Sequence, residues 1–220
     1  MSDRQKFITL NAPLYDYVCA GRSHSDDPLL AELRRVTDEL GDDARMQISP
    51  EQGSFLQVLT AATGARQALE IGTFTGYSSL CIARGLPENG KLTCLDVSRE
   101  WTEIAARFWL EADVARKIDL RIGPALETLA TLNLSTPLDF VFIDALKVEY
   151  DAYFEAVLPL VRPNGLILFD NMLWGGSIID DGKDESGEAL DVLNRKLAGD
   201  PRVETVLLPV ADGIQMCRVR

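Results

Sequence analysis

Four apolar, strand-like runs in this 220-residue chain each end on an acidic side chain. The acids are Glu70, Asp96, Asp144 and Asp170, and turn residues or a helical pattern follow each of them. This alternation of strand and helix is typical of a parallel sheet with crossover helices. Because parallel strands end at the same edge, we expect the four acids to lie together where open α/β sheets bind ligands.

The composition limits the classes of protein that the chain can belong to. Hydrophobic residues make up 46% of a chain whose length suits one α/β domain. The net charge of −12 disfavours nucleic acid and anionic membranes as partners. The N-terminus is polar and lacks the apolar stretch of a signal peptide, and no apolar run is long enough to cross a membrane. The four cysteines are scattered, which suggests neither a zinc site nor a disulfide framework. These features predict a cytoplasmic protein.

The chain divides into a helical part and an alternating part. Residues 1–66 are predicted to form a helical cap and residues 67–220 the α/β core of a single domain. Ser49 resembles an N-cap with Pro50 at the first helical position and Gln52 completing a capping box, in a helix that ends near Gly64. The predicted strands cover 67–71, 91–96, 118–122, 138–143 and 165–170. One helix is predicted to begin near 76, and further helices to cover about 100–112, 124–131, 149–161 and 186–198.

The C-terminal part of the chain has a different pattern. Two strand-like runs, 203–208 and 214–219, flank a turn signal at Ala211-Asp212-Gly213. They predict a hairpin that closes one edge of the sheet. The irregular stretch 174–187 is rich in Gly and Asp, and we expect it to form a mobile lid beside the ligand-binding edge.

The turn after the first strand carries two glycines, Gly72 and Gly76, in the spacing Gly-x-x-x-Gly. A dinucleotide fingerprint requires Gly-x-Gly-x-x-Gly, which this turn does not supply. Asp96 ends the second strand, at a position where an acid typically binds ribose hydroxyls. Together with Glu70 before the turn, it favours an adenosine ligand that has a positive charge. The alternative is that both glycines only form the turn and Asp96 caps a helix.

Asp144, Asp170 and Asn171 offer only oxygen ligands at the ends of two strands. Oxygen ligands are those that a hard cation prefers, so Mg²⁺ is favoured over zinc. Each Asp taken alone is also compatible with a turn or N-cap residue.

Three sequence blocks together are similar to one known family. They are Glu70-Ile71-Gly72-x-x-x-Gly76-Tyr77-Ser78, Asp144-Ala145-x-Lys147 and Asp170-Asn171-x-Leu173-Trp174. They resemble the cation-dependent O-methyltransferases of the caffeoyl-CoA and catechol O-methyltransferase type, which use S-adenosylmethionine. The resemblance implies a Rossmann-like, doubly wound, mostly parallel seven-stranded sheet with an antiparallel C-terminal hairpin strand and N-terminal helices.

The resemblance also implies roles for individual residues. The metal ligands would be Asp144, Asp170 and Asn171, the catalytic residues Lys147 and Asp144, and the substrate contacts Lys147 and Trp174. The cofactor contacts would be Ile48, Glu70, Gly72, Thr73, Ser78, Asp96, Ala125 and Asp144. The chain departs from the plant pattern at Leu146, where a second acid is usual, and at Gly175, where Asn is common.

The favoured function is therefore methyl transfer from S-adenosylmethionine to a hydroxyl of a small catechol-like substrate. Mg²⁺, or another divalent cation such as Ca²⁺ or Mn²⁺, would chelate the diol, and Lys147 would assist its deprotonation. The resemblance further implies a homodimer. Three alternatives remain: a methyltransferase of the same family that modifies hydroxylated RNA bases, an NAD(P)-dependent oxidoreductase, and a catalytically silent binding protein.

Overall fold

The computed structural model describes residues 7–220, and the first six residues of the predicted helical cap lie outside this range. Eight α-helices are described; in chain order they are α1 Ala12–Ala20, α2 Pro28–Asp38, α3 Pro50–Ala62, α4 Tyr77–Gly85, α5 Arg99–Glu111, α6 Ala125–Thr131, α7 Tyr150–Val157 and α8 Glu185–Gly199. Short 3₁₀ helices lie between several of them. Among the described residues, every helix is too short or too polar to cross a membrane.

Seven strands form one sheet. They are β1 Gln67–Ile71, β2 Lys91–Asp96, β3 Ile118–Ile122, β4 Leu138–Ile143, β5 Val161–Phe169, β6 Val203–Leu208 and β7 Ile214–Val219. The strand order is β3-β2-β1-β4-β5-β7-β6. The first five strands pair in parallel, while β7 is antiparallel to both β5 and β6. The predicted fold class and the C-terminal hairpin are therefore confirmed.

The helices cover both faces of the sheet. Alternate strand residues point to opposite faces, so Phe140 and Phe142 join the core beside α3 and α4, whereas Val141 and Ile143 join the core beside α7 and α8. All four side chains are fully buried. Strands that are buried on both faces consist of continuous apolar residues, and for this reason the sequence predicts the parallel strands well.

The predicted boundary between α7 and β5 was wrong. A helix was expected over 149–161, but α7 ends at Val157, a 3₁₀ turn covers Leu158–Leu160, and β5 begins at Val161. Pro159 explains the early end, because a proline inside a helix has no N–H for the backbone ladder and its ring clashes with the preceding turn.

The predicted capping box at the start of α3 was also wrong. Ser49 does occupy the N-cap position, but its side chain makes no capping hydrogen bond. Its hydroxyl instead donates to Glu51 Oε1 at 2.7 Å. Gln52 is buried and points inward from the helix. Tertiary packing therefore outweighs the local capping pattern here.

Two polar contacts tie the helical layer together. Asp27 caps α2 by accepting the backbone N–H groups of Leu29 and Leu30, and it also pairs with Arg84 of α4 at 2.7 Å. Lys117 is buried just before β3, and its ammonium donates to two backbone carbonyls at the end of α4, those of Ala83 and Leu86. A cation at that end complements the helix dipole.

Candidate active site

The backbone ladder of the parallel strands continues into the loops at their carboxyl ends. Four backbone amides in these loops donate to backbone carbonyl oxygens at the strand ends, at 2.8–3.0 Å. The donor and acceptor residues are Gly123 and Asp96, Gly72 and Leu95, Asp144 and Ile71, and Asp170 and Ile143. These four hydrogen bonds fix neighbouring loops along one edge of the sheet. The acids predicted from the sequence therefore lie on adjacent strand ends, in the order Asp96, Glu70, Asp144 and Asp170.

The glycine turn packs directly on the end of β4. Gly72 has φ of +88°, and a Cβ added there would lie 1.9 Å from the carbonyl oxygen of Asp144. Gly76 also has φ of +88°, and its Cβ would lie 2.5 Å from the Cβ of Ala105. Both positions combine a left-handed backbone with a close approach, so both require glycine.

Asp96 is bound to the backbone of this turn. Its Oδ2 accepts the N–H groups of Thr73 and Phe74, each at 2.8 Å, and its Oδ1 accepts that of Ser98 at 2.7 Å. The carboxylate thus orients the turn, whereas the N-cap of α5 is Ser98 and not Asp96. Each carboxylate oxygen has two lone pairs, so these bonds leave acceptor capacity for further donors.

Glu70 is fully buried one residue before the end of β1. Burial raises the pKa of this carboxyl to about 8, although the side chains of Ser78, Thr73 and Cys94 face it and oppose the shift. Within residues 7–220, neither Glu70 oxygen has a hydrogen-bond partner of normal geometry, and the buried Thr73 hydroxyl has none either. The edge therefore contains buried acceptors without donors.

Lys147 lies between an acid and a phenol. Its ammonium donates to Asp144 Oδ1 at 2.8 Å and to the hydroxyl oxygen of Tyr150 at 2.8 Å. Tyr150 is buried and its ring packs against Phe169, which raises the pKa of the phenol well above its usual value. A lysine ammonium has three hydrogens, so one remains for a third acceptor.

Asp170 is buried at the end of β5 and faces Asp144. Burial, and then the charge of Asp144, raise the pKa of the Asp170 carboxyl. Its Oδ1 accepts the backbone N–H of Asn171 at 2.7 Å. Asn171 has φ of +58°, which turns the chain sharply at the predicted ligand position. The amide of Gln52 also faces the Asp170 carboxyl and opposes the rise in its pKa.

Of the remaining predicted residues, Ser78 and Ala125 lie close to this edge. Ser78 is buried near Glu70, and Ala125 begins α6 directly after the loop that contains Gly123. Ile48 is buried before α3, and its carbonyl oxygen accepts a hydrogen bond from Arg34. No hydrogen bond within residues 7–220 joins Ile48 to the acidic edge.

Trp174 follows the metal-ligand candidates in a 3₁₀ helix, Trp174–Ile179. Its indole N–H donates to Asp184 at 2.9 Å, and its backbone N–H donates to the carbonyl of Asn171. The amide of Gly175 is bound by Asp212 at 2.6 Å. The predicted lid therefore contains ordered contacts at its beginning, and its mobility stays a prediction.

Two residues of the site were missed in the sequence. Tyr150 stands three positions after Lys147, as Lys147 stands three positions after Asp144, and this spacing could have indicated a common side of a helical turn. Gln52 lies on the face of α3 that buries Gly53, Leu56 and Thr60, so a polar residue in an inward position was the available signal.

Comparison with known proteins places the chain in a family. The sequence model of the O-methyltransferase family matches residues 20–220. Caffeoyl-CoA O-methyltransferase 1 of Zea mays is 40% identical over 97% of this chain and 87% of its own length. The chain belongs to the O-methyltransferase family.

Solved structures agree with this assignment. Cofactor-bound Rv0187 from MTB superposes with a TM-score of 0.88 at 32% identity, over 97% of this chain and 99% of that chain. The O-methyltransferase TomG from Streptomyces achromogenes, solved in complex with SAM, superposes with a TM-score of 0.83 at 31% identity, over 95% of this chain and 96% of that chain. Family membership favours methyl transfer over the nicotinamide-dependent alternative.

Proposed function

We propose that the protein transfers the methyl group of S-adenosylmethionine to one hydroxyl of a small aromatic vicinal diol, with a divalent cation bound by Asp144, Asp170 and Asn171. The observation that carries the proposal is the pair of acids on adjacent strand ends, with the ammonium of Lys147 bound to one of them. The cofactor-bound relatives and the maize caffeoyl-CoA enzyme support it.

The glycine turn and its neighbours fit an adenosyl cofactor with a cationic group. S-adenosylmethionine supplies an electrophilic methyl group on a positively charged sulfur. Glu70 provides two buried acceptor oxygens without donors, which suit an ammonium or hydroxyl of the ligand. Gly72 and Thr73 bring backbone close to the same place, while Asp96 and Ala125 would lie beside the ribose and the adenine, with Ser78 and Ile48 completing the contacts.

The donor set at the end of β4 and β5 fits a hard divalent cation. Asp144 and Asp170 provide carboxylate oxygens, and Asn171 provides an amide oxygen. No group of three or more His, Cys, Asp or Glu side chains that could hold a metal exists within residues 7–220, so the proposed set depends on the amide. Mutual repulsion of the two acids is the physical condition that a bound cation would relieve. When bound, the cation would lower the pKa of the diol hydroxyl.

Lys147 would assist deprotonation of the acceptor hydroxyl. Because two hydrogens of its ammonium are committed to Asp144 and Tyr150, the third would stabilise the phenolate oxygen, and the hydroxyl proton would pass to water. The phenolate would then take the methyl group, with S-adenosylhomocysteine as the leaving group. Methyl transfer needs the acceptor oxygen in line with the methyl group and the sulfur, so much of the acceleration would come from positioning. Trp174 would bind the aromatic ring of the acceptor.

The substrate of this chain need not be that of the plant relatives. Leu146 is exposed beside Lys147, where the plant pattern has an acid. An apolar side chain at this place supports an acceptor without a cationic or strongly polar substituent there. The class that we propose is therefore a small phenolic diol, with its identity and regiochemistry to be found by a substrate panel.

The direct test is incubation with labelled S-adenosylmethionine and a panel of catechols, with Mg²⁺, Mn²⁺ or Ca²⁺ and with excess chelator. We expect methylated product that is lost on chelation and restored by the cation. Asp170→Ala should abolish cation-dependent turnover while cofactor affinity, measured by calorimetry, stays within a few-fold of the parent. Undiminished turnover in excess chelator would remove the cation from the proposal.

Lys147→Met tests the role of the ammonium. We expect turnover to fall by about 10²-fold or more, as for loss of a group that acts on a proton, with little change in cofactor affinity. Lys196→Met is the matched control, because Lys196 pairs with Asp151 and Glu155 away from the site. An unchanged rate for Lys147→Met would refute its role.

Two further properties can be measured on the same preparation. Retention of tRNA by the purified protein would favour the RNA-modifying alternative, which the net charge of −12 disfavours. Light scattering during size-exclusion chromatography would test the homodimer that the family resemblance implies.

A further inference from the structure

Two arginines of the helical layer lack the acidic partners that comparable arginines of this chain have. Six arginines within residues 7–220 are half-buried. Four of them pair with a carboxylate, namely Arg84, Arg121, Arg162 and Arg218. The other two are Arg22 and Arg34, and among the described residues neither pairs with an acid. In a chain with a net charge of −12, two half-buried cations without acids call for an explanation.

Both arginines line one small cavity. The cavity has a volume of about 100 Å³ and lies between helix α2, the start of α3 and the loop that joins α1 to α2. His24 of that loop lines it as well, with φ of +58°, which is uncommon for a residue other than glycine. Three side chains that donate hydrogen bonds to anions therefore border a space that exceeds the volume of a phosphate group.

Arg22 is held in place by neutral oxygens. Its Nε donates to the carbonyl of Cys19 at 2.8 Å. Its Nη1 makes two longer contacts, with the carbonyl of Pro50 at 3.3 Å and the hydroxyl of Ser54 at 3.4 Å. A guanidinium has five N–H groups, so donors remain for a ligand.

Arg34 is positioned in a similar way. Its Nη1 donates to the carbonyl of Ile48 at 3.1 Å, and its guanidinium carbon lies 5.7 Å from the centre of the Tyr77 ring. The face of an aromatic ring attracts a cation without removing its charge. The positive charge of both arginines is thus oriented by the fold and stays available to an anion.

The acids near this cavity are already engaged. Asp27 lines it, but its carboxylate accepts two backbone N–H groups and pairs with Arg84. Glu51 lines a larger adjoining cavity, and its oxygens accept two side-chain hydroxyl groups. Neither acid forms an ion pair with the two unpaired guanidinium groups.

The larger cavity has apolar walls. Its volume is about 320 Å³, and it shares Arg22 and His24 with the smaller one. Phe55 and Val58 of α3 also line it. Sites for small organic molecules combine apolar walls of this kind with a few polar groups that orient the ligand. The two cavities therefore have a cationic end and an apolar end.

We propose that these cavities form a binding site for a small phosphate monoester. Arg22, His24 and Arg34 would bind the phosphate, and the organic group would contact Phe55 and Val58. Guanidinium groups bind phosphate oxygens through paired N–H donors, and a tetrahedral dianion accepts donors from several sides. The residues that line the cavities are not those that would bind the cofactor, the cation or the acceptor, so this inference does not depend on the proposed function.

The test uses His24 as a reporter. It is the only histidine in the chain, so its ring protons give one assignable set of NMR signals in protein without a tag. Phenyl phosphate, inorganic phosphate and phenol are titrated at constant pH and ionic strength, with chelator present so that no anion binds through a metal. We expect phenyl phosphate to shift the His24 signals to saturation and phenol to leave them unchanged. Inorganic phosphate should bind about tenfold more weakly, as the loss of roughly 55 Å² of apolar burial predicts.

Charge variants locate the site. Arg22→Gln and Arg34→Gln should each weaken phenyl phosphate binding about 10–100-fold, because each removes charge-assisted hydrogen bonds. Arg34→Lys keeps the charge without the paired donors and should bind with an intermediate affinity. Arg45→Gln is the matched control, because Arg45 is exposed and lines neither cavity. It should bind like the parent.

Three outcomes would contradict the proposal. The site is refuted if neither phosphate shifts the His24 signals. It is also refuted if both arginine-to-glutamine variants bind like Arg45→Gln, since the attraction is then nonspecific. Equal affinities for the two phosphates would reject the organic ligand. If the glutamine variants do not fold, Arg34→Lys decides, and parental affinity in that variant would refute binding by paired donors.

Discussion

Gly72→Ala is the substitution whose effect is best defined by the structure. An added Cβ would lie 1.9 Å from the carbonyl oxygen and 2.7 Å from the carbonyl carbon of Asp144, at a backbone φ of +88°. The obstacle is backbone, so no side-chain rotation relieves it. The strand ends cannot separate freely either, because the amide of Asp144 donates to the carbonyl of Ile71.

The expected cost has two parts. The left-handed conformation costs roughly 1–2 kcal/mol for a residue with a Cβ. The steric overlap adds about 1–3 kcal/mol, as overpacking of a close-packed interior does. The free energy of unfolding should therefore fall by about 2–5 kcal/mol, which for a chain of this length lowers the melting temperature by roughly 2–4 °C per kcal/mol.

Gly182→Ala is the matched control for this prediction. Gly182 has φ of +91°, and an added Cβ there would contact nothing within 4 Å. It shares the conformational cost without the overlap, so the difference between the two variants isolates the contact with Asp144. Urea unfolding followed by circular dichroism measures both, and calorimetry with S-adenosylhomocysteine should show weaker binding only for Gly72→Ala. Equal destabilisation of the two variants would refute the close packing of the glycine turn on β4.

Three further predictions concern groups outside the glycine turn. Lys117→Met removes two buried hydrogen bonds to the end of α4, and urea unfolding should show a loss of about 2–3 kcal/mol. Asp27→Asn keeps a cap but loses the negative charge. Although burial opposes the shift, the backbone N–H of Leu30 and then the guanidinium of Arg84 hold the pKa of Asp27 below its usual 3.8. A lowered pKa stabilises the fold above that value, so the stability gap between parent and variant should be present at pH 7 and close as the pH falls below about 3.8. Tyr150→Phe leaves Lys147 with one fewer acceptor, and kcat should fall about tenfold while KM and cofactor affinity stay within twofold.

The parallel core could be read from the sequence because its signals are local. A strand buried on both faces reads as an unbroken apolar run, and the acid after it marks the carboxyl end. Five such strands and their helices were therefore predicted within a few residues, except where Pro159 ended α7 early. The positions of Gly72 and Gly76 likewise indicated a tight turn, and the structure shows that both have a left-handed backbone.

The partners of the polar groups could not be read in this way. The pattern at Ser49 favoured a capping box, whereas in the structure Gln52 is buried and Ser49 makes no capping hydrogen bond. Lys147 and Tyr150 meet because a 3₁₀ turn precedes α7, and local propensity does not specify that turn.

The sequence by itself determined which residues form strands, where the chain turns and which acids lie at the carboxyl edge, because these depend on hydrophobic periodicity and on glycine and proline. Only the tertiary structure decided the order of the strands, with β7 inserted between β5 and β6. It alone also decided which donors reach each buried carboxylate. Contacts between elements distant in the chain depend on how whole helices and strands pack, and no local pattern of residues encodes that arrangement.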